Sequence, residues 1–214
     1  MTTKVTVKGD SDCQVRILLI GGGGTATGTK YGGGGGGSGF IEYRTLDIVR
    51  LSTFQVHVGD TGEASSVIYS VTTVDATHFL ANPGQDSYQK GNYYGGNGWS
   101  GGGDGCCTGF SGGRNGGDGD GQVEQGRGTG EKLSSFPMKY FTLTPGDRGQ
   151  PQPVSYQKDK GGGGGGGVIV DGFGPSKIGQ GEGYGGGGTY CEGAGCNIEM
   201  RKGLPGLILM EIVD

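Results

Sequence analysis

The sequence predicts a mainly β-strand protein that also contains polyglycine-II helices and has essentially no α-helix. Glycine supplies 56 of the 214 residues and hydrophobic residues only 31%, whereas glycine averages about 7% in proteins. The glycines form discrete tracts, and β-branched or aromatic segments directly adjoin them. No segment shows a helical period of apolar residues, and glycine destabilises any α-helix.

Several segments have the alternation or the β-branched composition that is typical of strands. The apolar run Cys13–Ile20 indicates a buried strand, and Leu207–Val213 is a second long strand. The remaining predicted strands are 3–8, 40–45, 53–58, 66–73, 77–80, 140–143 and 168–170. We therefore predict a single domain over residues 1–214, with a strand-rich base formed by about 1–80, 138–145 and 203–214.

The glycine tracts suit the polyglycine-II helix, an extended helix that proline also favours. This helix has no internal hydrogen bonds, so several copies side by side bond to one another through their backbones. We predict a bundle of such helices from residues 21–39, 95–130, 161–167 and 179–188. The uninterrupted tract suits the centre of this bundle, because it has no side chain on any face. Its residues are Gly161, Gly162, Gly163, Gly164, Gly165, Gly166 and Gly167.

The segment 17–28, ILLIGGGGTATG, resembles the glycine fingerprint of dinucleotide-binding domains. Gly21, Gly23 and Ala26 follow an apolar strand with the required spacing. That fingerprint needs a helix next, because the pyrophosphate binds at the helix N-terminus. Residues 27–39 are mostly glycine, which excludes such a helix. We therefore predict no bound nucleotide and no other cofactor, and we expect these glycines to allow close approach of another chain segment.

Charge and hydropathy exclude two classes of partner. The net charge is −4, whereas proteins that bind nucleic acid backbones carry a basic patch. No stretch approaches the 18 apolar residues of a membrane span. The first residues alternate and contain no apolar core of a signal peptide, so they predict a strand.

The cysteines and histidines indicate no catalytic or metal site. Cys191 and Cys196 flank a short glycine-containing loop that could close as a disulfide, and the total of five cysteines leaves at least one thiol unpaired. Zinc is the less favoured alternative, because the spacings differ from zinc motifs and His57 and His78 lie far away in sequence. The acidic residues are dispersed as well, so we predict that the protein is not an enzyme and binds no metal.

Aromatic residues in the middle glycine-rich region are the best candidates for contact with a partner. These residues, together with one arginine, are Tyr93, Tyr94, Trp99, Phe110 and Arg114, and Tyr88 lies just before them. In one interpretation the rings cover the apolar faces of the glycine bundle. In the other, loops between the glycine helices present them to a partner, since Tyr, Trp and Arg provide large contact areas with polar groups.

The order of these segments resembles that of known glycine-rich domains. A strand enters a glycine tract at 15–24, a glycine run enters VIV at 161–170, a GYGGGG tract follows at 183–188, and the chain ends in the strand of 203–212. Similar domains occur in phage tail-fibre and adhesin proteins, in marine-invertebrate glycine-rich proteins and in anaplastic lymphoma kinase-type receptors. The resemblance implies a β-sandwich or jelly-roll base, an extracellular location, and a role as adhesin, ligand-binding module or structural protein.

Three functions follow as hypotheses. The first is a structural or adhesive protein that self-assembles through strand edges and polyglycine faces, since both offer unpaired backbone groups. The second is a module that binds a surface receptor or ligand through its aromatic loops. The third is an ice-binding protein, although the irregular tracts with Lys, Arg and Asp argue against it.

Overall fold

The computed structural model describes residues 2–6, 13–29, 32–48, 52–71, 76–90, 92–103, 128–129, 131–150, 152–153, 160–176, 180–192 and 196–213. These residues are mainly in β-strands and extended segments, and they contain no α-helix. Two 3₁₀ helices, Leu133–Ser135 and Ile198–Arg201, are the helical elements of this part of the chain. No helix among the described residues has the length and apolar character needed to cross a membrane.

Two antiparallel sheets form one end of the molecule, which we call the base. In the first sheet, β2 (Cys13–Ile20) lies between β5 (Ile41–Ile48) and β15 (Leu207–Val213). The second sheet has the order β1 (Thr2–Thr6), β6 (Thr53–His57), β7 (Ser65–Ser70) and β8 (Ala76–Ala81). Strands β2 and β15 have the predicted bounds, and the others lie within a few residues of them.

Strand β2 is buried on both faces, which explains its unbroken apolar sequence. One face, with Ile17 and Leu19, packs in a cluster with Phe54 of β6 and Val67 of β7. The opposite face, with Leu18 and Ile20, belongs to a second cluster that includes Trp99, Leu133, Phe136 and Val168. Successive side chains of a strand point to opposite faces, so one strand contributes to both cores.

The second cluster is covered by residues 131–142, which we call the strap. The strap is held by Glu211 of β15, a carboxylate that is 4% exposed. This carboxylate accepts the N–H groups of Lys139 at 2.7 Å and Tyr140 at 2.9 Å, and Arg16 lies 3.4 Å away. The predicted strand at 140–143 is therefore wrong at its beginning, because the Tyr140 N–H bonds to a side chain instead of a ladder. Strand β11 starts at Leu143 and ends at Pro145, and it pairs with β14 (Val168–Val170).

Three short hairpins extend the glycine segments away from the base. They are β3 (Thr27–Thr29) with β4 (Gly32–Gly34), β9 (Tyr88–Lys90) with β10 (Asn92–Tyr94), and β12 (Gln152–Pro153) with β13 (Lys160–Gly161). Their sequences carry no alternating apolar pattern, so the strand signals of the sequence did not predict them. Contacts of β4 with β10 and β13 bring the hairpins together.

Residues 33–40, here called the central segment, bond to different neighbours in a repeat of three. In order, Gly35 donates to Gly103, Gly36 to Gly188, Gly37 to Gln85, Ser38 to Ser100, Gly39 to Gly185 and Phe40 to Asn82, at 2.8–3.0 Å. The carbonyl groups of each neighbour thus accept every third N–H group of the central segment. The acceptor number falls by three from one bond to the next, so these three neighbours run antiparallel to the central segment.

The carbonyl groups of the central segment accept from further neighbours. The N–H groups of five residues donate to these carbonyls: Gly162 to Gly33, Gly96 to Gly35, Gly165 to Gly36, Gly24 to Gly37 and Gly21 to Phe40. Six passes of the chain therefore surround the central segment, namely 21–24, 82–85, 95–97, 100–103, 162–165 and 185–188. The tract expected at the centre lies beside the central segment. Residues 82–87 were not predicted to take part, because they contain only one glycine.

Close approach of backbones explains why the central segment is almost entirely glycine. A Cβ atom on Gly35, Gly36 or Gly37 would overlap the carbonyl of a neighbouring pass. Apart from Phe40 at its end, the segment has one residue that is not glycine, Ser38, and this serine is completely buried. Its Oγ accepts the N–H of Ser100 at 2.7 Å, so this side chain replaces a backbone contact.

We expect Gly36→Ala to lower the free energy of unfolding by at least ~2 kcal/mol, since the added Cβ would collide with the Gly24 carbonyl and adjacent backbone would have to move. Chemical denaturation monitored by intrinsic fluorescence measures this change. The matched control is Gly172→Asn, because Gly172 has a φ of 77° and open space around its Cβ position, and Asn tolerates that conformation. Equal stability of the two variants would contradict the close packing.

Candidate functional site

The three hairpins and a disulfide lie at one end of the glycine segments, which we call the loop end. The residues of the central segment nearest β4 bond to Gly162, Gly103 and Gly188, whereas those nearest β5 bond to Gly185 and Asn82. Gly162 directly follows β13, and Asn82 directly follows β8. The hairpins therefore lie together at the end opposite the base, and they form the candidate interaction surface.

The β9–β10 hairpin presents an aromatic pair on this surface. Tyr88 and Tyr94 are opposite each other in the ladder, and their rings stack with centroids 5.3 Å apart. Tyr88 is 52% exposed. The hairpin is fixed to β3, because the Thr27 N–H donates to Ser87 Oγ and the Thr27 hydroxyl donates to the Ser87 carbonyl, both at 2.7 Å. The stacked tyrosines are thus held on a well-bonded support.

Tyr190 organises the neighbouring part of the loop end. Its ring is 1% exposed, and its hydroxyl lies 2.8 Å from both the Thr29 carbonyl and the Glu192 carboxylate. The Arg201 guanidinium stands 4.6 Å from the Tyr190 ring centroid, and Arg201 Nε donates to the Cys191 carbonyl at 2.8 Å. These contacts tie three separate segments together and leave no free donor on the hydroxyl, so they are structural.

The cysteines of the described residues are partly paired. A disulfide joins Cys191 and Cys196, the pair that the short loop between them indicated. Cys13 is a free, partly buried thiol. Cys106 and Cys107 lie outside the described residues.

The structure separates the predicted partner-binding residues. Tyr94 lies at the loop end, and Tyr93 belongs to β10, of which only the backbone is described at that position. Phe110 and Arg114 lie outside the described residues. Trp99 is completely buried at the opposite end, in the cluster that contains Leu18 and Ile20.

Trp99 therefore packs in the interior of the described structure. Its Nε1 donates to the Glu131 carbonyl at 2.9 Å, which satisfies the one polar group of the indole. The side chain links the turn at 98–100 to the strap.

Several buried polar residues were not identified from the sequence. Ser38 and Ser100 bond to each other, Ser65 Oγ donates to the Ile20 carbonyl at 2.6 Å, and Thr189 Oγ1 accepts the Gly164 N–H at 2.9 Å. Glu211 holds the strap. Two of them could have been found from their position in the sequence, because Ser38 interrupts a glycine tract and Glu211 interrupts an apolar strand. A lone polar residue in such a place indicates a buried side chain that bonds to backbone.

Histidines and acids in the described part of the chain do not form a metal cluster. No group of three or more His, Cys, Asp or Glu side chains there could hold an ion. His57 Nε2 lies 3.8 Å from the Glu63 carboxylate, at the distance of a weak surface pair.

Comparison with known protein families identifies a match. A family model described as a glycine-rich domain matches residues 2–207, nearly the whole chain. The curated proteins and the solved structures contain no significant match to this sequence.

We expect Trp99→Ala to lower the free energy of unfolding by about 3–5 kcal/mol, because it empties a fully buried aromatic site. Tyr88→Ala serves as the comparison, since it removes an exposed ring and costs only the stacking on Tyr94, about 1 kcal/mol. Thermal and chemical unfolding measure both values. A larger loss for Tyr88→Ala than for Trp99→Ala would show that the assignment of core and surface is incorrect.

Proposed function

Since the chain belongs to the glycine-rich domain family, we propose that it is a non-enzymatic structural or adhesive protein that associates with itself. The observation that carries this proposal is the combination of a backbone-filled interior with open sheet edges. The interior contains segments packed so closely that Cβ atoms are excluded at most positions. Within the described residues, β1, β5, β8 and β15 are the outer strands of the two base sheets.

Buried polar side chains also favour a structural role. Ser65, Thr189 and Glu211 bond to backbone groups of other segments, and Gln180 Nε2 donates to the Glu199 carbonyl at 2.8 Å. These buried side chains thus hold separate segments of the described structure together. A platform of this kind presents loops and edges to other molecules.

We propose the polyglycine-II conformation for the glycine segments and a β-sandwich for the base. Two observations support the helices: successive N–H groups of the central segment point to three different neighbours, as expected for three residues per turn, and the described glycines with positive φ all lie outside 33–40. The sandwich is supported by the cluster that residues of both sheets share.

Backbone dihedral angles measured by NMR test the helical conformation. For Gly35, Gly36 and Gly37 we expect the polyproline-II values, a φ of about −75° and a ψ of about +145°. Ordinary antiparallel strands would instead give a φ of about −140°, and that result would contradict the proposed helix.

An extracellular location is also proposed. The Cys191–Cys196 disulfide supports it, because disulfides persist in oxidising compartments and are rare in the cytosol.

A second candidate function is a receptor- or ligand-binding module. The stack of the exposed Tyr88 on Tyr94 favours it, since tyrosine combines a large apolar contact with a polar group. Under this alternative, alanine at both positions abolishes ligand binding and leaves self-association unchanged.

Sedimentation velocity over a range of concentrations tests self-association. We expect species larger than the 21.7 kDa chain, with a proportion that rises with concentration by mass action. A Tyr88→Ala/Tyr94→Ala variant is the control, and it should associate like the wild type. A single species with the mass of one chain at every concentration would rule out the structural, self-associating role.

A further inference from the structure

We propose that the open edge of β15 pairs with β15 of a second copy of the chain; this inference rests on the self-association proposed above. Within the described residues, β15 pairs with β2 on one side. In the same part of the chain, no backbone hydrogen bond of Leu207–Val213 reaches a segment on the other side. An open strand edge is a template for another strand.

Incomplete burial of apolar side chains shows that this edge differs from the rest of the core. Leu207, Ile208, Leu209 and Met210 are all partly exposed, and Ile212 is 48% exposed. Residues Ile17–Ile20 of β2, to which four of them pair, are only 0–1% exposed. Both strands contribute to the same two clusters. The partial exposure of these β15 side chains therefore comes from the open side of the strand. A strand paired there would cover the side chains on both faces of β15.

The opposite edge of the same sheet is built to face water. Strand β5 carries Glu42, Arg44 and Asp47, and Glu42 and Arg44 form an ion pair. Charged edge residues discourage pairing with another strand. Edge pairing is thus favoured at β15 and opposed at β5, which limits association through this sheet to two copies.

The phase of hydrogen bonding identifies which groups of β15 point outward. The Gly21 N–H donates to the Phe40 carbonyl at 3.0 Å and continues the β2–β5 ladder. Since bonded pairs alternate along antiparallel strands, odd-numbered residues of β2 bond to β5 and even-numbered ones bond to β15. Leu207, Leu209, Glu211 and Val213 therefore bond to β2. The outward N–H and C=O groups belong to Ile208, Met210 and Ile212.

These three residues are self-complementary about a two-fold axis at Met210. In that register Ile208 bonds to Ile212 of the second copy, Met210 bonds to its own equivalent, and every outward group of the three residues is paired. The two three-stranded sheets become one continuous sheet.

Glu211 is the one charged residue of the strand, and it does not oppose this pairing. Its carboxylate is 4% exposed and already accepts the N–H groups of Lys139 and Tyr140. Pairing with a second copy places Leu209 opposite Glu211 without taking a free charge out of water.

Sedimentation equilibrium of two lysine variants of the full chain tests the edge. Ile212→Lys places a charged side chain opposite the apolar Ile208 of the second copy, so we expect its mass to fall from twice 21.7 kDa to 21.7 kDa. Leu80→Lys is the matched control, because Leu80 is 45% exposed on the edge strand β8 of the other sheet, and it should remain a dimer.

Hydrogen exchange reports the register independently. In the dimer, the amides of Ile208, Met210 and Ile212 should be protected, and in Ile212→Lys they should exchange rapidly while Leu209 stays protected. A dimeric Ile212→Lys, or loss of the dimer in Leu80→Lys alone, would overturn the assignment to β15 and leave self-association standing. A monomeric wild type would overturn both.

Discussion

The structure depends on glycine segments that pack so closely that the backbone of one occupies the space where a Cβ atom of the other would lie. In the central segment, a side chain at Gly36 would overlap the Gly24 carbonyl, and one at Gly35 would overlap the Gly163 carbonyl. Hydrogen bonds between such passes are 2.8–3.0 Å long. Each contributes only about 0.5–1.5 kcal/mol in net terms, but leaving these buried groups unpaired would cost more than that. Ordered pairing of backbone groups thus replaces much of the hydrophobic core that this composition lacks.

Several small side chains in the described interior substitute for backbone groups. Ser38 occupies a position in the central segment where its hydroxyl bonds to Ser100. Thr189 accepts the Gly164 N–H that would otherwise be unpaired. At the boundary with the base, Ser65 bonds to the Ile20 carbonyl. These hydroxyl groups bond to backbone N–H and C=O groups of neighbouring segments.

The base and the glycine segments stabilise each other because the chain passes repeatedly between them. Strand β2 leads into 21–24, β8 leads into 82–87, and the central segment leads into β5. The apolar clusters on both sides of β2 fix the strand ends, and these ends set the register of the segments that follow. Trp99 extends this coupling, since its ring packs with Leu18 and Ile20 of β2 while the nearby Gly96 and Ser100 bond to the central segment. The hairpins of the loop end lie where the chain reverses direction between two glycine segments.

The sequence by itself determined the class of structure and the long strands. Alternation and apolar runs identified β2, β15 and most strands of the second sheet, because these patterns reflect burial of side chains on a sheet face. Tertiary structure alone decided which glycine tract is central, that 82–87 joins the network, and that Trp99 is buried while Tyr88 is exposed. The physical reason is that glycine has no side chain and hence no pattern. Where backbone bonds to backbone, the partner of each residue is fixed only by the three-dimensional arrangement of the passes.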